Sequence, residues 1–581
     1  MVYARFDDLR PHRRRSFMLD EFDGVLEAHT PSEVAEVLAK AEAAVRDGRW
    51  VAGFVAYEAA PQFDRAMQVK PAARTAFEDL PLAWFGVARG RGAAPPPPSG
   101  GYVLEGWERH LSASEHAAAV SEIRRRIREG DTYQVNFTFR LDAGFQGSVK
   151  GLYGDLINSQ ACGYGALIDT GRFVAVSASP ELFFEWRHGR IVCRPMKGTR
   201  RRGLMAPDDE EQRALLEASE KDRAENLMIV DMIRNDLGRI ARVGAVTVPA
   251  LFSTEKYDTV WQLTSTVQAE PRPGTGLSQV FGALFPSASI TGAPKVATMK
   301  IIEQLEAGPR GIYCGAIGFG GPDSGGGAQW AFNVAIRTVM IDRRQARAWY
   351  GTGGGITFDS TPAGEYEEAL LKAAVLSRRS AAFDLVETIR WTASEGFWLL
   401  ERHLDRLGAS AGYFDIPLDP AEVRAALRTA VLDRSGPARV RLTVSRTGSI
   451  SVTVADLLPT APVAAVVDSV PIDPSDVFLY HKTTNRLIYE DARARAGDVD
   501  DVILIDPDGH ITETTIGNLA VQTNGRWWTP PVACGLLPGT YREELIAQGR
   551  LAERPIAVTE LAGAPLARIN AVRGWEDMKL V

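Results

Sequence analysis

Two stretches place acidic residues at helical spacing. Asp222 and Glu225 stand at i, i+3 after Ser219, and Glu365, Glu368 and Lys372 stand at i, i+3 and i+7 after Thr361-Pro362. Each group shares one face of a helix. Two helices each offering an acidic pair suit a hard cation, because Mg²⁺ takes oxygen ligands, keeps waters and leaves positions for an anionic substrate. Plainer readings stand beside this one. Ser219 and Asp222 have the form of a capping box. Glu368 and Lys372 have the form of a surface ion pair worth about 0.2–0.5 kcal/mol. In Gln329–Thr338, Trp330, Phe332, Val334 and Ile336 alternate with Asn333, Ala335 and Arg337. A strand there sets Arg337 on a face of small and polar residues, where a guanidinium fork suits a carboxylate. Farther on come His403, Lys482, Glu513 and a Gly539-Thr540 turn. Singly, each charged group reads as ordinary surface or a satisfied helix position.

These residues need elements to hold them. Ser219 opens a helix that stops at Leu237-Gly238, and Thr361 caps a second with Pro362 in its first turn. Upstream, Glu33–Asp47 is amphipathic, Val51–Tyr57 is strand-like, and the Pro/Gly block Ala93–Gly101 is an extended connector. From Ser112 to about Lys372 helices alternate with many short strands. Tyr313–Phe319 and Gln329–Met340 read as strands joined across Gly320–Gly327. Those glycines mark a hairpin tip rather than a phosphate loop, since no helix opening on Lys-Ser/Thr follows. A break at Ser377–Ala382 precedes the strand-like Phe383–Arg390. The expected domains are therefore 1–376, with a subregion 1–100 and a core 112–376, and 383–581.

The motifs Gly130-Asp131-Thr132-Tyr133-Gln134-Val135-Asn136, Ser177-Ala178-Ser179-Pro180-Glu181-Leu182, Asp231–Arg239, Phe285–Lys295 and Gly353-Gly354-Gly355-Ile356 resemble those of the chorismate-utilising enzymes, in family order from Gly130 to Ile356. The resemblance implies an α/β (α+β) fold with two stacked antiparallel sheets flanked by helices. It implies Mg²⁺ on Glu225 and Glu368, supported by Asp222 and Glu365. Chorismate would meet Thr291, Tyr313, Arg337, Lys372 and the amides of Gly353, Gly354 and Gly355.

Pro195-Met196-Lys197-Gly198-Thr199 discriminates among members. In the family pattern anthranilate synthases have alanine where Lys197 stands. Aminodeoxychorismate synthases have lysine, which attacks ring carbon 2 and expels the 4-hydroxyl before ammonia enters at carbon 4. Such a nucleophile must be a neutral amine, which burial and nearby cations favour. Hydroxide leaves poorly without an acid, a role the resemblance gives to Glu181. Gln262 replaces the histidine that anthranilate synthases tend to carry. The region before Gly53 is short. None of the four cysteines sits in an amidotransferase elbow, so a separate glutamine amidotransferase subunit is expected to supply ammonia.

The second half carries Leu385–Arg390, Leu399–Leu407, His481–Arg486, Ile511–Asn518 and Gly535–Arg542. Together these resemble the fold-type IV pyridoxal-phosphate enzymes, which include branched-chain aminotransferases and aminodeoxychorismate lyase, and imply an α+β domain. Lys482 would carry pyridoxal 5′-phosphate and Glu513 would pair with its pyridine nitrogen, keeping the ring an electron sink. Arg406 and the amides of Ile516, Gly517, Thr540 and Tyr541 would hold the phosphate. The strand and turn that usually precede the Glu387-Thr388 strand are shortened. Fusion to a chorismate domain favours the lyase over a transaminase, since the lyase consumes the first domain's product. An anthranilate-forming first domain conflicts with Lys197 and Gln262, and an inactive regulatory fusion conflicts with the intact Lys197, Glu181, Lys482 and Glu513. Sites of this type are generally assembled across dimers, so a homodimer through the lyase domain is expected.

Bulk properties agree. A chain of 581 residues exceeds what one core accommodates. A net charge of −7 argues against nucleic acid, and the clusters Arg13–Arg15 and Arg200–Arg202 read as solvated surface. Cys162, Cys193, Cys314 and Cys534 show no paired spacing, which fits a reducing compartment. Met1–Asp20 has no apolar core of a signal peptide, and no apolar run nears the roughly 18 residues of a membrane span. The expected location is cytoplasmic.

Overall fold

The computed structural model describes residues 2–10, 14–96, 100–159, 162–257, 260–376, 383–457, 459 and 461–581. Arg13, the centre of the proline connector (97–99) and the break at 377–382 lie outside the described residues. The chain forms two compact units. One is Met1–Arg201 with Arg213–Ser380, and the other is Arg202–Gln212 with Ala381–Val581.

The first unit contains two ten-stranded antiparallel sheets. In one, Gln134–Gly147 lies beside Arg347–Ile356, followed by Thr338–Asp342, Phe173–Ser179, Tyr164–Asp169 and Tyr3–Asp8. In the other, Met196–Arg201 and Val260–Pro271 lead through Leu182–Arg187 and Ala328–Val334 to Ala316–Pro322 and Trp50–Val55. The sheets stack through Phe6, Ile168 and Trp349 of one and Phe54, Ile317 and Phe319 of the other, all in one buried cluster. Alternation explains this, since Ala4 and Phe6, Ala166 and Ile168, and Ala52 and Phe54 are i, i+2 pairs on the faces that meet in this cluster.

Local signals place the helices. The Ser219 hydroxyl accepts the Asp222 amide and starts Glu220–Gly238, so half of the expected capping box forms. Helix Pro362–Ala373 follows Thr361. The hairpin is Ala316–Pro322 paired with Ala328–Val334. The strand expected to run through Arg337 is broken. It ends at Val334, the Ile336 amide turns back to the Val334 carbonyl at 2.7 Å, and Arg337 adopts φ +49°. Alternation therefore does not set the face of Arg337. Its carbonyl instead accepts the Ala178 amide at 3.1 Å.

In the second unit, Leu385–Thr392 pairs with Ala438–Val444, which pairs with Ile450–Asp456, and helix Leu400–Tyr413 packs on this sheet. A larger sheet follows the order Ile511–Thr514, Asp501–Ile505, Val463–Val467, Gly574–Leu580, Leu566–Asn570, Asn518–Thr523. Ile511–Thr514 pairs with Asn518–Thr523 as well, so these six strands close a ring.

Candidate active sites

In the first unit, Lys197 and the glycine strand come together. Register sets Gly355 opposite Asn136 and Gly353 opposite Thr138. A Cβ on Gly355 would lie 2.2 Å from Gln134 Nε2 and 3.0 Å from Lys197 Nζ, so only glycine leaves room for both. Gly198 turns the chain at φ +89°, and its own Cβ would meet Asp222 at 2.8 Å. The lysine loop is clamped on both sides. Gln262 donates to the Gly198 carbonyl at 2.9 Å and accepts from the Thr199 hydroxyl at 3.0 Å. Asn226 donates to the Lys197 carbonyl at 3.4 Å.

Burial lowers the pKa of Lys197, with Lys372 adding to the effect and Glu225 and Glu181 opposing it. Glu181 is buried, which pushes its pKa up to about 7 against the opposing Ser289 bond and Lys197 charge. An amine biased toward neutrality thus sits near a carboxyl biased toward protonation. That pairing can deliver a nucleophile and a proton to one ligand.

Next to it, a Cβ on Gly354 would lie 3.1 Å from Glu365, 3.6 Å from Lys372 Nζ and 3.9 Å from Glu368. Burial raises the pKa of Glu225, and Asp222 and Glu365 raise it further. Burial and Glu368 likewise raise Glu365. Carboxylates that repel one another in this way fit a divalent cation. The four do not form a tight cluster here. Glu368 pairs with Lys372 at 2.7 Å, and Glu225 lies 4.0 Å from Lys221. Among the described residues, Asp506, Asp508 and His510 alone bring three such ligand atoms within 4.8 Å of one another. Lys372 also donates to the Gly353 carbonyl at 3.0 Å. Thr291 is fully buried with its hydroxyl on the Ser287 carbonyl at 2.9 Å, and the Tyr313 ring lies against Gly351. Burial lowers the pKa of the half-buried Arg337.

Gln134 was not singled out from sequence. It is fully buried, and neither amide atom finds a partner among the described residues. Two unmet polar atoms beside an amine are costly unless a ligand meets them. Its place in the Gly130–Asn136 motif was the available signal.

In the second unit, the Lys482 carbonyl accepts the Val386 amide at 2.9 Å, tying the lysine to the domain's first strand. Burial, then Arg406, lower its pKa to about 8. Glu513 is buried, which raises it to about 7 although Tyr489 donates to it. The Tyr489 hydroxyl lies 2.7 Å from one oxygen and Asn518 Nδ2 lies 3.2 Å from the other. A Cβ on Gly539 would fall 1.9 Å from Asn518 Oδ1, so glycine is required there. Arg406 grips Glu387 through two bonds of 2.9 and 2.7 Å and donates to the Pro538 carbonyl at 3.0 Å. His403 bonds the same Glu387 at 2.7 Å and approaches the Thr540 hydroxyl at 3.4 Å. The first amides of helix Thr540–Ala547, which include Thr540 and Tyr541, have no intrahelical acceptor.

A phosphate monoester fits this cup, with a guanidinium edge, free helix amides and a nearby lysine. One expected donor is otherwise engaged. The Gly517 amide gives its hydrogen to the Thr514 hydroxyl at 3.1 Å, because the Thr514–Gly517 turn closes on itself. Ile516 sits exposed at its tip. Glu387, Tyr489 and Asn518 carry site geometry that their sequence neighbours did not reveal.

A model of the chorismate binding enzyme matches residues 91–378, and a model of the class IV amino-transferase matches residues 384–579. An aminodeoxychorismate synthase of Streptomyces griseus is 41% identical over 264 residues, which is 45% of this chain and 35% of that protein. An aminodeoxychorismate synthase component 1 of Bacillus subtilis is 38% identical over 260 residues, 45% of this chain and 54% of that protein. The chain thus spans between a third and just over half the length of these relatives. Anthranilate synthase component I from Streptococcus pneumoniae shares the fold, with a TM-score of 0.52 at 22% identity over 65% of this chain and 92% of that one. Over residues 91–378 the chain belongs to the chorismate binding enzymes, and over residues 384–579 to the class IV amino-transferases.

Proposed function

We propose that this chain makes 4-aminobenzoate in two steps, with chorismate aminated in the first unit and pyruvate eliminated in the second. The observation that carries the reading is Lys197 Nζ at 3.0 Å from the Gly355 β position, with Glu181 raised to about 7 close by.

Uncharged Lys197 attacks ring carbon 2 of chorismate. The ring double bonds shift, and the 4-hydroxyl leaves as water with the proton of Glu181. Ammonia adds at carbon 4, the double bonds shift back, and the bond to Lys197 breaks with its electron pair returning to nitrogen. Glu181 takes the proton lost by the new ammonium. Gln134 offers its unmet amide to the bound ligand. Arg337, Tyr313, Thr291 and Lys372, with the Gly353–Gly355 amides, receive the carboxylates. Glu225 and Glu368, backed by Asp222 and Glu365, would hold Mg²⁺, which neutralises a substrate carboxylate. The ammonia is supplied by a separate glutamine amidotransferase.

In the second unit, Lys482, Glu513, Arg406 and the Ile516, Gly517, Thr540 and Tyr541 amides would hold pyridoxal phosphate. The Gly517 amide would first have to leave Thr514. The bound group supplies an electron sink. Lys482 takes the carbon 4 proton and returns it to the methylene of the departing enolpyruvate, so that the ring becomes aromatic and pyruvate is released. Glu513, held by Tyr489 and Asn518, would pair with the pyridine nitrogen of the bound group. A homodimer through this unit and a cytoplasmic location belong to the same proposal. Among the described residues no helix is long and apolar enough to cross a membrane.

The test is a product assay from chorismate, Mg²⁺, pyridoxal phosphate and ammonium salt. The expected products are 4-aminobenzoate and pyruvate in equal amounts. Anthranilate as the main product would overturn the first half. Accumulated aminodeoxychorismate would overturn the second.

A further inference from the structure

The glycine strand Arg347–Ile356 has a second end. Gly351, Gly353 and Gly355 share one face. Lys197 meets that face at Gly355, and the Tyr313 ring covers it at Gly351, where a Cβ would lie 2.2 Å away. Four residues of strand put the two ends about 14 Å apart. Behind Tyr313 lies a chamber of about 160 Å³ with Phe77, Met340 and Trp349 in one part of its wall and His110, Glu306 and Arg310 in another. Phe77 meets Trp349 edge-on at 5.3 Å.

Arg140, opposite Gly351 in the register, reaches into this chamber with its guanidinium 4.9 Å from the Phe77 ring centre. Among the described residues its buried Nε has no acceptor. Burial lowers its pKa, and no neighbouring carboxylate offsets that effect. The nearby acids are committed. Glu306 serves the Thr138 amide and hydroxyl and binds Arg310. Asp142 pairs with Arg347.

Arg140 is half-buried over an aromatic ring with the nearby acids committed elsewhere, and a neutral occupant of the chamber would not supply the missing counter-charge. A carboxylate would, through paired guanidinium hydrogen bonds. Size narrows the ligand further, since an apolar cavity of roughly 150 Å³ accepts one benzene ring. We propose that this chamber binds an aromatic monocarboxylate, with its carboxylate on Arg140 and its ring between Phe77, Trp349 and Tyr313. Occupancy would fix Tyr313 from behind and so restrain the neighbouring chorismate site. The proposed end product, 4-aminobenzoate, has this chemistry. Only that choice of ligand rests on the proposed function.

The test is equilibrium dialysis of 4-aminobenzoate against the full chain, compared with 4-aminobenzamide, anthranilate and the variants Arg140→Gln and Arg140→Lys. Wild type should bind 4-aminobenzoate at least 30-fold more tightly than the neutral amide, and saturating chorismate should leave that binding in place. Arg140→Gln should lose this binding event while still binding chorismate, and Arg140→Lys should keep it in weakened form. Without ligand, Arg140→Gln should unfold at the same or a higher temperature, because a half-buried guanidinium whose Nε has no acceptor among the described residues has been removed. A purely structural arginine would give a lower one. Unchanged binding in Arg140→Gln, displacement by chorismate, or equal binding of acid and amide would each overturn the inference. Anthranilate binding ten-fold tighter than 4-aminobenzoate would overturn the end-product assignment. Arg140-dependent binding without 4-aminobenzoate synthesis would instead overturn the proposed function alone.

Discussion

Lys197→Ala removes an amine whose surroundings were built around it. Three neighbouring carboxylates, Glu181, Glu225 and Glu368, are each held lower by its charge, so all three should become harder to ionise in the variant. Chorismate also loses one cationic neighbour. Removing one charged hydrogen-bond partner weakens binding by about 1.5–3 kcal/mol, or roughly 10- to 150-fold. Removing a covalent nucleophile costs several orders of magnitude in turnover. The two effects separate at saturating chorismate, where weaker binding no longer limits the rate. The assay follows 4-aminobenzoate from chorismate and ammonium salt, with supplied aminodeoxychorismate as the control for Lys482. The expected result is at least a thousand-fold loss from chorismate and an unchanged rate from aminodeoxychorismate. Some anthranilate should appear, since ammonia can then attack carbon 2 directly. Turnover within ten-fold of wild type at saturating chorismate would refute the nucleophile assignment.

Further outcomes are expected. Glu225→Gln or Glu368→Gln should weaken Mg²⁺-dependent chorismate binding at least ten-fold, while a chelator should stop amination and spare the conversion of supplied aminodeoxychorismate. Equal loss of both activities in chelator would show the metal set to be misassigned. Borohydride reduction of the pyridoxal phosphate-loaded protein followed by peptide mapping should label Lys482, and label on another lysine would move the site. Tyr489→Phe leaves the buried Glu513 short of a donor at a cost of about 1–3 kcal/mol, so dialysis should show cofactor affinity falling five-fold or more. The folded pKa of Glu181, about 7, stands above its ordinary 4.5. Its protonated form therefore favours the fold below pH 4.5, and that contribution is lost as pH rises through 7. Amination should fall on the same limb, whereas Glu181→Gln should flatten the stability curve between those pH values and abolish turnover. A slope unchanged in Glu181→Gln would place the titration elsewhere.

Helix Glu220–Gly238 was legible because Ser219 and Gly238 act on their immediate neighbours, and Asp222 and Glu225 share a face by helical pitch alone. The glycine strand and the lysine motif were legible as strings of residues, and the family resemblance followed from them. Their meeting was not. Gly355, Gln134 and Lys197 converge only because register aligns strands far apart in the chain, and no local periodicity reports register. Arg337 shows the same limit from the other side. Perfect alternation predicted its face, yet a bond from the Ile336 amide to the Val334 carbonyl turned the chain out of the strand. Glu387 was one letter in a motif until folding put Arg406 and His403 on it. Arg140 looked like any strand arginine until Glu306 and Asp142 were committed to other partners. Composition and spacing determined which chemical groups this protein has and which helices carry them. Tertiary structure alone decided which groups share a low-dielectric site, because burial and pairing are properties of surroundings assembled from distant segments.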